Sequence, residues 1–343
     1  MKIVSIVGAR PQFIKHAPLE KELSKTHTVV SVHTGQHYDK SMSDIFFKQL
    51  GMKEPDYKFD LSSSSGHGAQ TGEMLRLCEE VLIKEKPQFV LLYGDTNSTL
   101  AGTLAAVKLH IPIIHVEAGL RSYNMEMPEE VNRIVADRFS KILFCTSEVG
   151  VKNLQAEGLG EGAYVVGDIM RDTLEMVTPF LSAPVYTSYY FATFHRPYNV
   201  DNSERLKKIF TILNALPNRV VVPLHPRTRS KLSATFLDQF DNISFIEPVG
   251  YIESLSLQKS SLTVITDSGG IQKEAYWLKK KCITVRPETE WVETLEEGWN
   301  TLVFDNLDSI PEVLANIPGA YNENLYGTGE ATKAIAAILN KMK

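Results

Sequence analysis

Short apolar runs alternate with amphipathic stretches along most of the chain. In the first half, KIVSIV precedes a stretch of helical periodicity at Phe13–Leu23, and FVLLY precedes another at Leu100–Leu109. The runs TVVSV, IPIIHV and KILFCT are followed by similar stretches, and AYVVGD supplies a last run. A strand that is buried on both faces has a nearly continuous apolar sequence, and a helix after it returns the chain to the same end of the sheet. The pattern therefore predicts βα units and a parallel sheet.

The same alternation starts again in the second half, with YYFATF, RVVVPL, NISFIE, LTVITD and KCITVR. Between the two sets, TPFLSAPVYTS contains two prolines and several small polar residues, which is typical of a linker. We therefore expect an α/β protein of two Rossmann-like, doubly wound domains facing a central cleft. Residues 1–168 would form the first domain, 169–187 the linker or hinge, and 188–327 the second domain. A final helix over 328–343 would either complete the second domain or cross back to the first.

Composition narrows the class of protein. The 343 residues suffice for two ordinary domains, and 43% hydrophobic content excludes a disordered polymer. A net charge of -5 argues against a nucleic-acid-binding protein. The three cysteines are far apart and show no CxxC spacing, so neither a disulfide framework nor a zinc cluster is expected. The amino-terminal sequence has no signal-peptide pattern, and no apolar run is long enough for a membrane span, so we expect a cytoplasmic protein without a membrane partner.

Charged or titratable residues follow the apolar runs, where open α/β sheets bind their ligands. They are Arg10, Asp95, Glu117, His195, Arg196, His225 and Asp267. A carboxylate directly after an apolar strand is partly desolvated, which raises its pKa and suits it to proton transfer. Glu117 is the clearest example, and we expect an acid–base site there.

The tetrapeptide Asp267–Gly270 leads directly into the helical segment IQKEAYWL. Small residues with free N–H groups at a helix start can bind phosphate, but Ser268 can equally serve as an ordinary helix cap. Glu274, further along that helix, is either a solvated residue or a ligand of a ribose diol. The chain contains neither GxGxxG nor GxxxxGK[ST], so neither a nicotinamide enzyme nor a P-loop protein is indicated.

Other charged residues have simple structural explanations. Glu129 and Arg133 are four residues apart at a predicted helix start, as in a surface ion pair. The pairs His33/His37 and His110/His115 lack a third ligand at metal-binding spacing, so no metal site is expected. We favour His195, which is adjacent to Arg196, for phosphate contact or acid catalysis.

Five segments together resemble the non-hydrolysing UDP-N-acetylglucosamine 2-epimerases in order and spacing, across almost the entire chain. They are GARPQFIKHAPL, GDTNST, HVEAGLR…PEEVNR, FHRPYN and TDSGGIQKEA. The resemblance implies the glycosyltransferase-B architecture, a homodimer, a UDP-sugar substrate and no cofactor. It also implies roles for individual residues.

By this resemblance, Arg10 and Lys15 contact the nucleotide sugar, and Asp95, Glu117 and Glu129 are the catalytic carboxylates. His195 matches the catalytic histidine of the HR motif. The segment binding diphosphate and ribose matches Ser268, Gly269, Gly270 and Glu274. We expect the remaining contacts to the nucleotide sugar from Arg133, Arg196 and His225. The family motif is commonly HRxEN, whereas this chain has Tyr198 in place of the glutamate.

The implied reaction is elimination of UDP to give 2-acetamidoglucal, followed by re-addition with inversion at C2. It would interconvert UDP-GlcNAc and UDP-ManNAc for bacterial surface polysaccharides. Segments such as RPETEWVETLEEGWN are also similar to UDP-2,3-diacetamido-2,3-dideoxyglucuronate 2-epimerases of O-antigen synthesis, so that substrate is the alternative. A glycosyltransferase of the same architecture and a non-catalytic UDP-sugar sensor are more distant alternatives.

Overall fold

The computed structural model describes residues 1–36, 50–61, 66–224, 226–229 and 232–342. The chain divides into two compact units. The first unit comprises Met1–Pro179 and Asn324–Lys343, and the second comprises Phe180–Glu323. Each contains one parallel sheet with helices, as the sequence pattern predicts. In the described ranges, no helix is both long and apolar enough to cross a membrane.

The sheet of the first unit has the order β3-β2-β1-β4-β5-β6-β7 among the described strands. These are β1 Lys2–Val7, β2 Thr28–His33, β3 Tyr57–Lys58, β4 Phe89–Tyr93, β5 Ile113–Val116, β6 Ile142–Cys145 and β7 Ala163–Val165. Every described pair is parallel, and the central strand β4 is buried along its whole length. The continuous apolar sequence of β4 follows from this burial on both faces.

The helices of the first unit alternate with these strands in the chain. They are α1 Arg10–Leu23, α2 Gly66–Glu85, α3 Asn97–Lys108, α4 Pro128–Phe139, α5 Glu148–Ala156 and α6 Ile169–Val177. Separate apolar clusters lie on the two sides of the sheet: Phe13 and Leu19 of α1 belong to one, and Ala105 and Ala106 of α3 to the other. The unit is therefore doubly wound.

The second unit repeats this plan with the order β10-β9-β8-β11-β12-β13 among its described strands. They are β8 Tyr190–Thr193, β9 Val220–Pro223, β10 Ile243–Ile246, β11 Val264–Thr266, β12 Cys282–Thr284 and β13 Asn300–Leu302. Its helices are α7 Pro197–Val200, α8 Ser203–Asn214, α9 Pro226–Arg229, α10 Ala234–Leu237, α11 Tyr251–Ser260, α12 Gly269–Trp277 and α13 Ile310–Ala315. Short 3-10 helices are Thr178–Phe180, Val292–Gly298 and Leu307–Ser309.

In both units the strand order reverses beside the first strand, between β1 and β4 and between β8 and β11. Doubly wound sheets bind ligands at this switch point, beyond the carboxyl ends of the strands. The predicted fold class of two doubly wound α/β domains is confirmed. The short strands β3 and β13 were not expected, because two or three residues give no readable periodicity.

The predicted linker over 169–187 is wrong for its first half, because Ile169–Val177 form helix α6. Asp168 caps this helix by accepting a hydrogen bond from the Met170 N–H at 2.8 Å, and Leu174 is buried on its inner face. Thr173 Oγ1 donates to the Ile14 carbonyl of α1 at 2.7 Å. Residues 169–177 therefore belong to the first unit.

The last helix, α14 at Ala331–Asn340, also belongs to the first unit, where it packs on α1 and α6. The Asp172 carboxylate accepts hydrogen bonds from the Ala331 N–H at 3.1 Å and the Thr332 N–H at 2.9 Å. An acidic group at a helix start satisfies N–H groups that have no partner within the helix. The sequence left open whether the last helix completes the second domain or crosses back to the first. In the structure it crosses back to the first unit.

Candidate functional site

Two carboxylates follow neighbouring strands at the switch-point edge of the first sheet. Asp95 follows β4 after Gly94, and Glu117 directly follows β5. Tyr93 at the end of β4 is paired with Val116 at the end of β5, so the two loops start side by side. The strand ends thus present both carboxylates at the same edge.

Glu117 has a left-handed backbone with a φ of 69°, which is uncommon for a residue other than glycine and costs about 1–3 kcal/mol. Hydrogen bonds hold it there, because the N–H groups of Glu117 and Ala118 both donate to the Phe144 carbonyl at 3.0 Å. Its Oε1 accepts from Lys15 Nζ at 2.5 Å, and both side chains are buried. A buried, paired carboxylate in a strained loop indicates a functional position.

Asp95 forms an ion pair with Arg133 of α4, and its carbonyl accepts from Asn132 Nδ2 at 2.9 Å. A quarter of its side chain is exposed, yet the surrounding protein desolvates the carboxyl and raises its pKa, and Arg133 only partly opposes this. The charges of Glu117 and Glu129 raise the pKa further. Asp95 is therefore suited to hold and transfer a proton.

Glu129 is at the start of α4 and is half-buried. Arg133 pairs with Asp95 and, at 2.5 Å, with Glu130. Glu130 also accepts from the Tyr123 N–H at 2.9 Å. The four-residue spacing of Glu129 and Arg133 suggested an ion pair on the surface. Arg133 is buried, so its charge is not part of a surface ion pair. Through its effect on Asp95, Glu129 belongs to the same group of carboxylates.

Arg10 begins α1, directly after the loop that follows β1. Gln12 fixes this loop: its Oε1 accepts from the Gly8 N–H at 2.7 Å, and its Nε2 donates to the Tyr93 carbonyl at 2.9 Å. The first unit thus brings Lys15, Asp95, Glu117, Glu129 and Arg133 into one region, and the loop with Arg10 adjoins it. We call this set the carboxylate site.

His195 and Asp267 follow β8 and β11 at the switch point of the second sheet. Asp267 is fully buried and lies 3.0 Å from His195 Nδ1. It also accepts from the His195 N–H at 3.1 Å, the Arg196 N–H at 3.0 Å and Asn199 Nδ2 at 3.0 Å. Burial alone would raise the pKa of Asp267, but the His195 charge and these hydrogen bonds hold it below its usual range.

A carboxylate on one ring nitrogen fixes the orientation of a histidine. The His195 side chain is 37% exposed, so the ring remains accessible while Asp267 holds its Nδ1. This arrangement suits phosphate contact or acid catalysis. The sequence placed Asp267 at a ligand-binding strand end but gave it no role, and Asn199 was missed, although it is the asparagine of the HRxEN motif.

Tyr198, which departs from that motif, packs edge-on against Phe304 with ring centroids 5.4 Å apart. Burial raises the pKa of its hydroxyl to about 12, with Arg286 and Arg196 partly opposing the shift. Tyr198 therefore stays neutral and supplies an apolar wall with a hydroxyl group near two arginines.

Helix α12 begins at Gly269, next to a space lined by nitrogen donors. Ser268 is the N-cap residue, but its side chain makes no cap hydrogen bond, so simple capping does not account for it. A Cβ atom at Gly269 would lie 3.4 Å from Trp291 Nε1 and 3.5 Å from Arg286 Nη1. The first N–H groups of a helix have no partner within it and favour anions. The missing side chain at Gly269 leaves room between the start of α12 and these two nitrogen atoms.

Arg286, which sequence reasoning missed, is 2% exposed. Its Nη2 donates to Glu290 Oε1 at 3.1 Å, and its Nη1 is 3.1 Å from Glu290 Oε2. With the described residues, Nε and Nη1 form no hydrogen bond of acceptable geometry. Buried guanidinium nitrogens are normally hydrogen-bonded, and a phosphate would satisfy these two. We call Ser268, Gly269, Gly270 and Arg286 the anion site.

Glu274 is buried in α12, and its Oε2 accepts from Gln258 Nε2 at 2.8 Å. The interpretation of Glu274 as a solvated helix residue is therefore wrong. Gln258 holds one oxygen of this carboxylate in a fixed orientation, as recognition of a ribose diol would require. His225 lies outside the described residues. In the described part of the chain, no three His, Cys, Asp or Glu side chains are grouped as a metal site.

Two doubly wound domains, one with a group of carboxylates and one with donors suited to an anion, fit the class of α/β enzymes that act on phosphorylated ligands. The sequence model of the UDP-N-acetylglucosamine 2-epimerase family matches residues 21–340. The UDP-2,3-diacetamido-2,3-dideoxy-D-glucuronate 2-epimerase of Pseudomonas aeruginosa is 46% identical over 100% of both chains. A UDP-N-acetylglucosamine 2-epimerase homolog of Methanococcus maripaludis is 45% identical over 98% of both.

Among solved structures, the UDP-GlcNAc 2-epimerase of Methanocaldococcus jannaschii in complex with UDP-GlcNAc and UDP is similar, with a TM-score of 0.92. It is 39% identical, and the match covers 99% of this chain and 100% of that one. The chain belongs to the UDP-N-acetylglucosamine 2-epimerase family. The predicted family and the predicted enzyme class, an isomerase, are confirmed.

Proposed function

We propose that this chain interconverts UDP-GlcNAc and UDP-ManNAc by inverting the configuration at C2, and that it supplies bacterial surface polysaccharide synthesis. The observation that carries the proposal is the carboxylate site, where burial and neighbouring carboxylates raise the pKa of Asp95 beside the buried Lys15–Glu117 pair. A protein that only binds UDP-sugars needs no such acid–base groups, which disfavours the sensor alternative.

The proton at C2 is not acidic, because no carbonyl group is next to it. Elimination of UDP solves this difficulty: the C1–oxygen bond breaks, the C2 proton passes to a carboxylate, and 2-acetamidoglucal forms. Re-addition of UDP at C1 with protonation of C2 from the opposite face gives the epimer. Two faces of the sugar require acid–base groups in different positions, for which Asp95, Glu117 and Glu129 are the candidates.

In this proposal the second unit binds the UDP. The start of α12 and Arg286 would stabilise the leaving diphosphate, since fixed donors aimed at developing negative charge lower the barrier. His195, held by Asp267, would contact the diphosphate or donate a proton to it. Arg10 and Lys15 would contact the nucleotide sugar, and Glu274 would bind the ribose.

The alternative substrate is UDP-2,3-diacetamido-2,3-dideoxyglucuronate. The Pseudomonas aeruginosa relative carries that substrate in its name and is as similar in sequence as the Methanococcus relative. The two sugars differ at C3 and C6 but react at the same C2, so the carboxylate site suits both.

Parallel incubations with the two UDP-sugars test this choice, with proton NMR detecting the 2-epimer of each. We expect turnover of UDP-GlcNAc, whereas turnover of the diacetamido sugar alone would move the chain to the alternative. If neither UDP-sugar is epimerised although the protein binds UDP, the result would favour a sensor or a transferase. Glu117→Gln serves as the inactive control.

We also propose that the chain is a cytoplasmic homodimer, as the family resemblance implies. Light scattering on the purified protein tests the oligomeric state, and a monomer at micromolar concentration would contradict it. Fractionation of the source cells tests the location.

A further inference from the structure

A buried histidine and a buried aspartate lie directly behind the carboxylate site. His115 of β5 and Asp137 of α4 are both fully buried, with His115 Nδ1 2.7 Å from Asp137 Oδ1. The other ring nitrogen, Nε2, is 2.7 Å from the Gly94 carbonyl oxygen. Neither side chain has a place in the chemistry proposed above.

These contacts define the hydrogen positions on the ring. A carbonyl oxygen only accepts, so Nε2 donates to Gly94. Burial alone would raise the pKa of Asp137, but the hydrogen bond and charge of His115, together with Arg121, hold it below its usual range. A second proton lies between Nδ1 and Asp137 Oδ1, because two acceptors without a proton would not approach to 2.7 Å.

The pair reaches both loops of the carboxylate site. Gly94, whose carbonyl accepts from His115, immediately precedes Asp95. On the other side, Asp137 Oδ2 accepts from the Gly119 N–H at 3.1 Å, two residues after Glu117. One hydrogen-bonded pair thus fixes the backbone near each of two carboxylates.

Arg121 secures the aspartate from behind. Its Nη1 donates to Asp137 Oδ2 at 2.7 Å, while its Nε and Nη2 form a forked pair with Glu157 at 2.7 Å. Forked guanidinium–carboxylate pairs fix orientation as well as distance. Asn153 Nδ2 donates to the Gly119 carbonyl at 2.9 Å, so both polar groups of Gly119 are held.

We propose that His115 and Asp137, secured by Arg121, are positioning residues that set the separation of the Asp95 and Glu117 carboxylates. The proposal rests on the proposed function, because the separation matters only if both carboxylates act on one sugar. Proton transfer is sensitive to placement, and an error of about 1 Å in a reacting group can reduce a rate by about 100-fold.

The test is Asp137→Asn, compared with Asp308→Asn, which removes one partner of the exposed Lys208–Asp308 pair. We expect Asp137→Asn to lower kcat about 10–100-fold, with KM and the Kd for UDP changed by less than about threefold. Asp308→Asn should match the unaltered protein. A kcat per folded molecule equal to that of the unaltered protein would overturn the proposal.

An NMR measurement on the unaltered protein tests the hydrogen bonds of His115 without any substitution. NMR of the isotope-labelled imidazole should show a proton on Nε2 of His115 in the unaltered protein, and an Nε2 without a proton would overturn the assignment. If Asp137→Asn does not fold, Arg121→Lys can be used instead, because lysine keeps the positive charge but cannot form the forked pair with Glu157. For Arg121→Lys we expect a several-fold loss of kcat, smaller than the loss expected for Asp137→Asn. Unchanged kcat in Arg121→Lys would then contradict the proposal.

The outcomes separate this inference from the proposed function. No epimerisation of either UDP-sugar by the unaltered protein would contradict the proposed function, and with it the catalytic consequence of the pair. Normal epimerisation by both the unaltered protein and Asp137→Asn would contradict the positioning role alone.

Discussion

Replacement of Asp267 by asparagine tests the histidine–carboxylate pair of the second unit. The carboxylate accepts from three protein N–H donors and lies 3.0 Å from His195 Nδ1. With its amide oxygen at the Oδ2 position, asparagine can still accept from all three N–H donors, but its NH2 group then replaces Oδ1 beside His195 Nδ1. Loss of one hydrogen-bonded contact to a buried charged group costs about 1–3 kcal/mol, so we expect a loss of that size in the free energy of unfolding.

The loss should depend on pH in a defined direction. The pKa of Asp267 is depressed in the folded protein, so its contribution to stability is complete above the pKa of the unfolded chain, about 4, and is lost as pH falls through the folded value. The stability difference between the unaltered protein and Asp267→Asn should therefore be constant near neutrality and shrink in acid.

Urea unfolding of both proteins across this pH range measures the difference, with Asp308→Asn as the surface control. The activity of Asp267→Asn should also fall, by about 100-fold or more in kcat, since His195 loses the carboxylate that orients it. Equal unfolding free energies for the two proteins at neutral pH would refute the reasoning from buried hydrogen bonds.

Three further substitutions have defined outcomes. Asp95→Asn should lower turnover about 10²–10⁴-fold. It should also raise the unfolding free energy at neutral pH, because the raised pKa of Asp95 means that the folded protein disfavours the charged carboxylate. A lower unfolding free energy in urea would contradict this. Lys15→Met should cost about 3–5 kcal/mol in urea unfolding, because the buried Glu117 carboxylate loses its cation, and an unchanged midpoint would count against it. Arg286→Lys should weaken UDP binding about tenfold by calorimetry, since lysine lacks the planar guanidinium fork. The control Arg219→Lys, at an exposed position, should bind UDP normally. Equal UDP affinities of Arg286→Lys and the unaltered protein would exclude Arg286 from the anion site.

The fold was predictable because burial on both faces leaves a clear signal in the sequence. The continuous apolar run of β4 identifies a central strand directly. Helix α6 was missed because it lies next to the prolines of the linker, although Leu174 and Val177 have helical spacing to Ile169 and Met170. The destination of α14 depends on Asp172 at its start, a contact across 159 residues of chain that no local pattern reveals.

The members of the carboxylate site could be named from the sequence, because they follow apolar strands or occur in the family motifs. The distances and backbone conformations within the site could not be predicted from the sequence. The left-handed backbone of Glu117 and its pairing with Lys15 across 102 residues depend on tertiary structure. Arg286 follows strand β12, so inspection of every strand end would have found it. Asp137 is in the last turn of helix α4 and had no signal in the sequence.

The most direct test of the central claim uses UDP-GlcNAc with an oxygen isotope in the bridge between C1 and phosphorus, incubated with the protein in deuterated water. If UDP leaves and returns, the isotope scrambles into the non-bridging positions of the diphosphate, and C2 of the ManNAc product carries deuterium. The account predicts both results in the same sample. An epimerised product that carries deuterium but an unscrambled bridge would contradict the elimination of UDP.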